Sequence, residues 1–215
     1  MKKIFLIGIG VMIFLGLITA KPDKTTDKSD KPSVSPSPTA TAQSAPGDEK
    51  EQQQGDFLKL YKETIDIVYP IKKIFYSTNG LLTKVPTTTS YLNYKNAEET
   101  YKKCSVYFTF ASTPVSLKAF KNDFEQSFRE LSIACTILQE DAKYMADYIN
   151  TNNMESYRKS QEELKKGPIK IISNAISRLV YGVGEKIGVD IKPLNDEFKE
   201  MSERIPRDFE AEYGK

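Results

Sequence analysis

Nine side chains between Phe120 and Ile149 stand 4, 4, 3, 4, 3, 4, 3 and 4 residues apart: Phe120, Phe124, Phe128, Leu131, Cys135, Leu138, Ala142, Met145 and Ile149. An α-helix turns once in 3.6 residues, so this alternation puts all nine on one stripe. A strand cannot carry it, because strand residues change face at every step. A helix from 114 to 150 would be ~55 Å long at ~1.5 Å per residue. A stripe of that length is covered only by other long helices lying along it, so this one segment points to a bundle.

Neighbouring segments keep the same period. Phe57, Tyr61, Ile65, Val68, Ile71 and Phe75 line a first helix running from Asp56, a plausible N-cap, to about Ser77. Pro70 should kink or break it, and Thr78, Asn79 and Gly80 supply a stop. Residues 81–90, LLTKVPTTTS, hold no period and read as a loop. A second helix, from about Ser90 to Ala111, carries Tyr94, Ala97, Tyr101, Cys104, Phe108 and Ala111, and Ser112-Thr113-Pro114 form the joint to the third. Asn150-Thr151-Asn152-Asn153 is a turn. A fourth helix follows along Met154, Tyr157, Gln161, Leu164, Pro168, Ile171 or Ile172, Ala175 and Leu179. Its period crosses Gly167-Pro168 in phase, so one continuous, kinked helix is expected. Gly182, Gly184 and Gly188 end it. A short fifth helix near Pro193 would carry Leu194, Phe198, Met201 and Ile205, with Pro206 closing it and a loose tail beyond. Short joints make consecutive helices antiparallel. The expected fold is therefore all-α: an antiparallel up-down bundle of four helices with coiled-coil-type seams, a kinked fourth helix and a short fifth.

The bundle occupies residues 56–215, which hold 21 of the 23 aromatic residues. What precedes it is of another kind. Residues 1–20, MKKIFLIGIGVMIFLGLITA, place two lysines before a 15-residue apolar run and end in a small residue, the layout of a secretory signal peptide. A spanning helix needs ~20 residues, with a lower limit of ~17; if retained, residues 4–20 would serve as a short N-terminal membrane anchor. No cysteine follows the run to take a lipid. Residues 21–55 contain five prolines, five serines, four threonines and no aromatic residue, and Val34 is their only sizeable aliphatic side chain. Such a segment cannot bury enough surface to offset the entropy of ordering it, and reads as a disordered spacer or wall-spanning stalk.

Charge and composition then narrow the chemistry. The chain has 31 basic and 29 acidic residues, and Lys2 and Lys3 account for the whole excess. A neutral folded part is not a strongly basic nucleic-acid binder. There is no histidine, which removes imidazole catalysis and histidine-ligated metals. No calcium-loop pattern is present, so no metal or cofactor is expected. An exported chain with two cysteines invites a disulfide, but a hairpin with its apex near residue 113 would offset Cys104 and Cys135 by ~20 Å along the axis, against the ~7 Å limit for bridged Cα atoms. Both are therefore expected as buried free thiols. Acid catalysis needs only two carboxyls, and Glu98-Glu99, Glu140-Asp141 and Glu162-Glu163 are candidate pairs. They alternate with lysines off the seams, as solvated helix faces do. Gly182-Val183-Gly184-Glu185-Lys186 follows a helix and lacks the Gly-Lys-Ser/Thr of a phosphate loop. Residues 168–188 have the composition of a membrane-surface helix yet continue the core seam. Tyr91, Tyr144, Tyr148 and Tyr181 are left over from the seams and are candidate ligand contacts.

The layout resembles small exported helical-bundle proteins of Gram-positive-type bacteria: a Lys-Lys leader, a Pro/Ser/Thr spacer, then a charged, tyrosine-rich bundle. The resemblance implies an extracellular or cell-envelope location. The expected function is non-enzymatic binding of a protein or wall polymer. The alternatives are a carboxylate-dependent hydrolase of cell-wall polymer and, more weakly, membrane-surface action through 168–188. Membrane attachment otherwise depends on retention of the leader, and neither partner nor oligomeric state can be read from the residues.

Overall fold

The structure is a computed structural model that describes residues 46–81 and 87–213. The leader, residues 21–45 of the spacer and residues 82–86 of the expected loop lie outside the described residues, and the rest of that loop is helical, Leu81 ending one helix and Thr87–Ser90 opening the next. The described chain is helical, without a strand: α1 (Pro46–Leu81), α2 (Thr87–Phe110), a 3₁₀ turn (Val115–Phe120), α3 (Lys121–Thr151), α4 (Met154–Lys165), α5 (Pro168–Ser177), a π-helical turn (Arg178–Gly184) and α6 (Ile191–Tyr213).

The seams read from the sequence form the core. Phe57, Tyr61, Val68 and Ile71 of α1, Tyr94, Tyr101, Cys104 and Phe108 of α2, and Phe124, Leu131, Cys135 and Leu138 of α3 are all buried in one cluster. Ile172, Ala175, Ile176, Leu179 and Val183 join it from α5 and the π-helical turn, and Leu194, Met201 and Ile205 from α6.

Hydrogen bonds and ring contacts set the registers. Ser105 Oγ meets Thr136 Oγ1 at 2.8 Å and Thr109 Oγ1 meets Ser132 Oγ at 2.9 Å, so numbers fall on α3 as they rise on α2. Ser160 Oγ donates to Asp141 at 2.6 Å and the Tyr148 and Tyr157 rings lie 5.2 Å apart, giving the same sense to α3 and α4. Along α1 and α6 the numbers rise together: Tyr61 donates to the Leu194 carbonyl at 2.9 Å and Lys72 to Ser202 Oγ at 2.7 Å.

Five further expectations need correction. First, Cys104 and Cys135 form a disulfide, with Cα atoms 5.9 Å apart. The joint is not a tight turn at 113. Residues 111–120 climb, partly as a 3₁₀ turn, along the first turns of α3, which overhang the end of α2, and this brings the two cysteines level. Second, α1 starts at Pro46, so residues 46–55 of the supposed spacer are helical. A proline leads, Asp48 and Glu49 fill the first turn, and Gln54 Nε2 donates to the carbonyls of Ile187 (3.0 Å) and Gly188 (2.9 Å). Third, α1 continues through Pro70, which is exposed, so the carbonyl it leaves unpaired faces water.

Fourth, the chain across Gly167-Pro168 is two helices rather than one. Gly167 has φ +71°, a left-handed conformation that closes α4 at little cost only for glycine, and Pro168 opens α5. Fifth, the last helix is not short: α6 passes Pro206 and brings the Phe209 ring against Gly80. By contrast, the Asn turn behaves as read. Asn152 takes φ 56° at the end of α3, and Asn153 caps α4 by accepting from the Glu155 amide at 3.0 Å.

Candidate functional site

Three arrangements could carry chemistry or recognition: a buried polar cluster where α2, α3 and α4 meet, the surface tyrosines, and an apolar edge formed by α2, the joint after it and α3.

The cluster is built around Asp141, which is 2 % exposed. Sequence reasoning put Glu140-Asp141 on a solvated face, and for Asp141 that is wrong. Beside the apolar seam α3 buries a second row, Ser127, Leu131, Ala134, Leu138, Asp141 and Met145, spaced 4, 3, 4, 3, 4. Asp141 is the polar member of that row, and a search confined to apolar residues passes over it. Ser160 on α4 donates to it at 2.6 Å and is itself fully buried. Burial lifts the Asp141 carboxyl from the ordinary range to about 7; the Ser160 bond pulls against the rise and Glu163 adds to it. Tyr94 and Tyr101 of α2 are buried nearby, and burial, reinforced by Asp141, raises both phenols. The Tyr94 hydroxyl lies by Thr78 and makes no hydrogen bond of ordinary geometry among the described residues.

A second buried charge sits between α1 and α6. Lys72 donates to Ser202 and lies 4.6 Å from the Phe198 ring centroid, and burial lowers its ammonium to about 8. Neither Asp141 nor Lys72 has an opposite charge within ion-pair distance among the described residues.

The remaining candidate acids behave as surface groups. Glu98 pairs with Lys95, Glu99 with Lys103, Glu140 with Lys143 and Glu163 with Lys166. Glu162 and Glu155 both engage Arg158, whose hydrogen bond holds the Glu155 carboxyl below its usual range, the wrong direction for a general acid. Among the described residues no three His, Cys, Asp or Glu side chains gather as a metal site would require, and no helix is long and apolar enough to cross a membrane. Gly182–Lys186 ends the π-helical turn, with Lys186 3.7 Å from Asp123.

The four tyrosines do not form one site. Tyr144 and Tyr148 lie one turn apart on α3: Lys143 and Lys159 each stand 5.8 Å from the Tyr144 ring, and Tyr148 packs on Tyr157. Tyr91 is half-buried on the first turns of α2. Tyr181 is 49 % exposed on the π-helical turn, where its hydroxyl accepts from Asn195 Nδ2 at 3.0 Å.

The apolar edge escaped the sequence reading, because its members fall off every seam. Val106, Phe110, Val115 and Ile133 are exposed, Phe110 at 80 % and Val115 at 91 %. Of these, Ile133 lines a groove of ≈ 460 Å³ between α2 and α3, together with Thr109, Arg129 and Ser132. The usable signal was Phe110 and Val115 flanking a Ser-Thr-Pro joint, large apolar residues where a joint is ordinarily polar. Comparison with known families, with curated proteins and with solved structures finds no match.

Proposed function

We propose that the chain is an exported, non-enzymatic envelope protein that binds a protein or wall polymer through its helical bundle. We read the architecture as an up-down bundle of α1, α2, α3 and the α4–α5 pair, with α6 laid along α1. The registers between helices support that reading. The observation that carries the functional reading is the exposure of large apolar side chains at the end of α2 and in the joint after it, Val106, Phe110 and Val115, with Ile133 exposed on α3. Exposed apolar groups gathered at one place mark contact surfaces more often than catalytic ones.

The Cys104–Cys135 bridge supports export, since disulfides persist in oxidising compartments, and it agrees with the leader and spacer read from residues 1–45. The hydrolase alternative has less support: the one carboxyl raised toward neutrality, Asp141, is sealed from any polymer. Membrane action through residues 168–188 also has less support, because Ile172, Ile176, Leu179 and Val183 are spent on the core.

The test places a photo-crosslinking side chain at position 110, or at exposed position 203 of α6, in cells with intact envelopes. Selective capture of a protein or glycan from position 110, with the bundle open to added protease, is the expected result. Equal capture from both positions would remove the binding edge; a protease-protected, cytoplasmic bundle would remove export.

A further inference from the structure

α4 differs from the other helices in what it buries. Its two buried side chains are Ser156 and Ser160, and Met154, which the sequence placed on the seam, is 61 % exposed. Each serine donates to an aspartate of α3: Ser156 to Asp147 and Ser160 to Asp141. The charged residues of α4 turn outward, Arg158 to Glu155 and Glu162, and Glu163 to Lys166 of the following turn. This helix is therefore seated by two hydroxyl-to-carboxylate bonds and the partly buried Tyr157 ring, where its neighbours are seated by fully buried apolar side chains.

The two seats are unequal. Asp147 is exposed. Asp141 is sealed, and among the described residues the titratable groups that interact with it are Tyr94 and Tyr101 from α2 and Glu163 from α4, with Tyr157 of α4 acting on Tyr94. On α3 itself Glu140 and Lys143 pair with each other at the surface. α1 contributes Thr78, which lies by the two phenols and donates to the Ile74 and Phe75 carbonyls.

We propose that α4 is a pH-governed element, firmly seated on α3 while Asp141 keeps its proton and loosened once that carboxyl has to hold a charge away from water. Displacing α4 lets water reach Asp141, whose affinity for a proton then returns to that of an ordinary carboxyl, near 4. Seated, it titrates at about 7. Protons are thus bound by the seated state and released by the open one, so acid holds α4 down and rising pH frees it. The effect levels off above pH 7, where both states are ionised. Full hydration on opening would raise the open population ~30-fold between pH 5.5 and pH 8.

Hydrogen exchange of the α4 amides in the intact chain tests this, with rates divided by their intrinsic values at each pH. Protection of residues 158–165 should fall ~30-fold from pH 5.5 to 8 while the α2 and α3 cores change little. In Asp141→Asn the fall should vanish. In Asp147→Asn protection should drop at every pH with the dependence retained. An unchanged slope in Asp141→Asn, or flat protection in the parent chain, overturns the proposal. Should Asp141→Asn not fold, the carbon-13 shift of the Asp141 carboxyl in the parent chain decides. A midpoint near 7 supports the proposal, and one in the ordinary carboxylate range refutes it.

Discussion

The Cys104–Cys135 bridge should be the largest single removable contribution to the stability of the bundle. The two residues are 31 apart in sequence, and in the oxidised chain the unfolded state must keep that loop closed. A loop of this size costs an open chain about 3.7 kcal/mol to close at room temperature in the chain-entropy treatment. Opening the bridge hands that entropy back to the unfolded state alone. For a domain of this size each kcal/mol moves the melting temperature by about 2–4 °C, so reduction should lower it by roughly 7–15 °C. Both sulfurs are buried, and alanine at both positions also removes packing between α2 and α3. Cys104→Ala/Cys135→Ala should therefore melt no higher than the reduced parent.

The assay is thermal unfolding followed by circular dichroism on three samples: the oxidised chain, the chain reduced in denaturant and refolded in reductant, and the double variant. Melting temperatures of oxidised and reduced chains within 2 °C of each other would refute the reasoning about loop closure. Two thiols open to alkylation in the denatured, unreduced chain would refute the bridge itself, and with it the placing of the joint along the α3 overhang.

Further outcomes follow from single sites. Lys72→Met should stabilise the chain at pH 7 by about 2–3 kcal/mol, because burial lowers the ammonium to about 8 and its charging on folding is unfavourable at every pH below that. The advantage should shrink as pH rises from 8 toward 10.5, which denaturant unfolding at pH 7 and pH 10 would read. Gly184→Ala should destabilise by about 1–3 kcal/mol, since a Cβ there would stand 2.9 Å from the Phe57 ring; Gly182→Ala, whose nearest neighbours would be 3.6 Å away, should not, and paired melts separate the two. Tyr94→Phe should leave stability unchanged or raised, as it removes a buried hydroxyl that makes no hydrogen bond of ordinary geometry. Tyr61→Phe should cost about 1 kcal/mol for the lost bond to the Leu194 carbonyl, measured by chemical denaturation of both variants.

How much of this could be read beforehand depended on whether the signal was periodic. Helix identity and the apolar seams were legible because burial of Phe124, Leu131 and Leu138, or of Tyr94, Tyr101 and Phe108, follows from spacing alone. The bridge was not, because it depends on the length of chain the 111–120 joint lays along α3, a three-dimensional quantity with no counterpart in the spacing of Cys104 or Cys135. The start of α1 was hidden for a different reason. Asp48, Glu49 and the glutamines that follow have spacer-like composition, and their helix is fixed by what it meets, with Gln54 on the Ile187 and Gly188 carbonyls. Pro70 and Pro206 misled in the same way, since tertiary contacts on either side outweigh the local cost of a proline.

Asp141 and Lys72 show what kind of information the apolar pattern discards. Each occupies a helix position whose geometry demands burial, and each meets a serine hydroxyl from a neighbouring helix instead of an opposite charge. A leucine at either place would complete the stripe and seat the neighbour more firmly, so the polar choice lowers stability without adding a reachable catalytic group. The two costs also fall in different pH ranges. The carboxyl is penalised above about 7 and the ammonium below about 8, so both buried charges are present together near pH 7.5. Acid relieves the first and alkali the second. On the readings proposed above, such an arrangement would give a protein that acts by contact a core stapled between α2 and α3 and an α4 whose attachment responds to the medium.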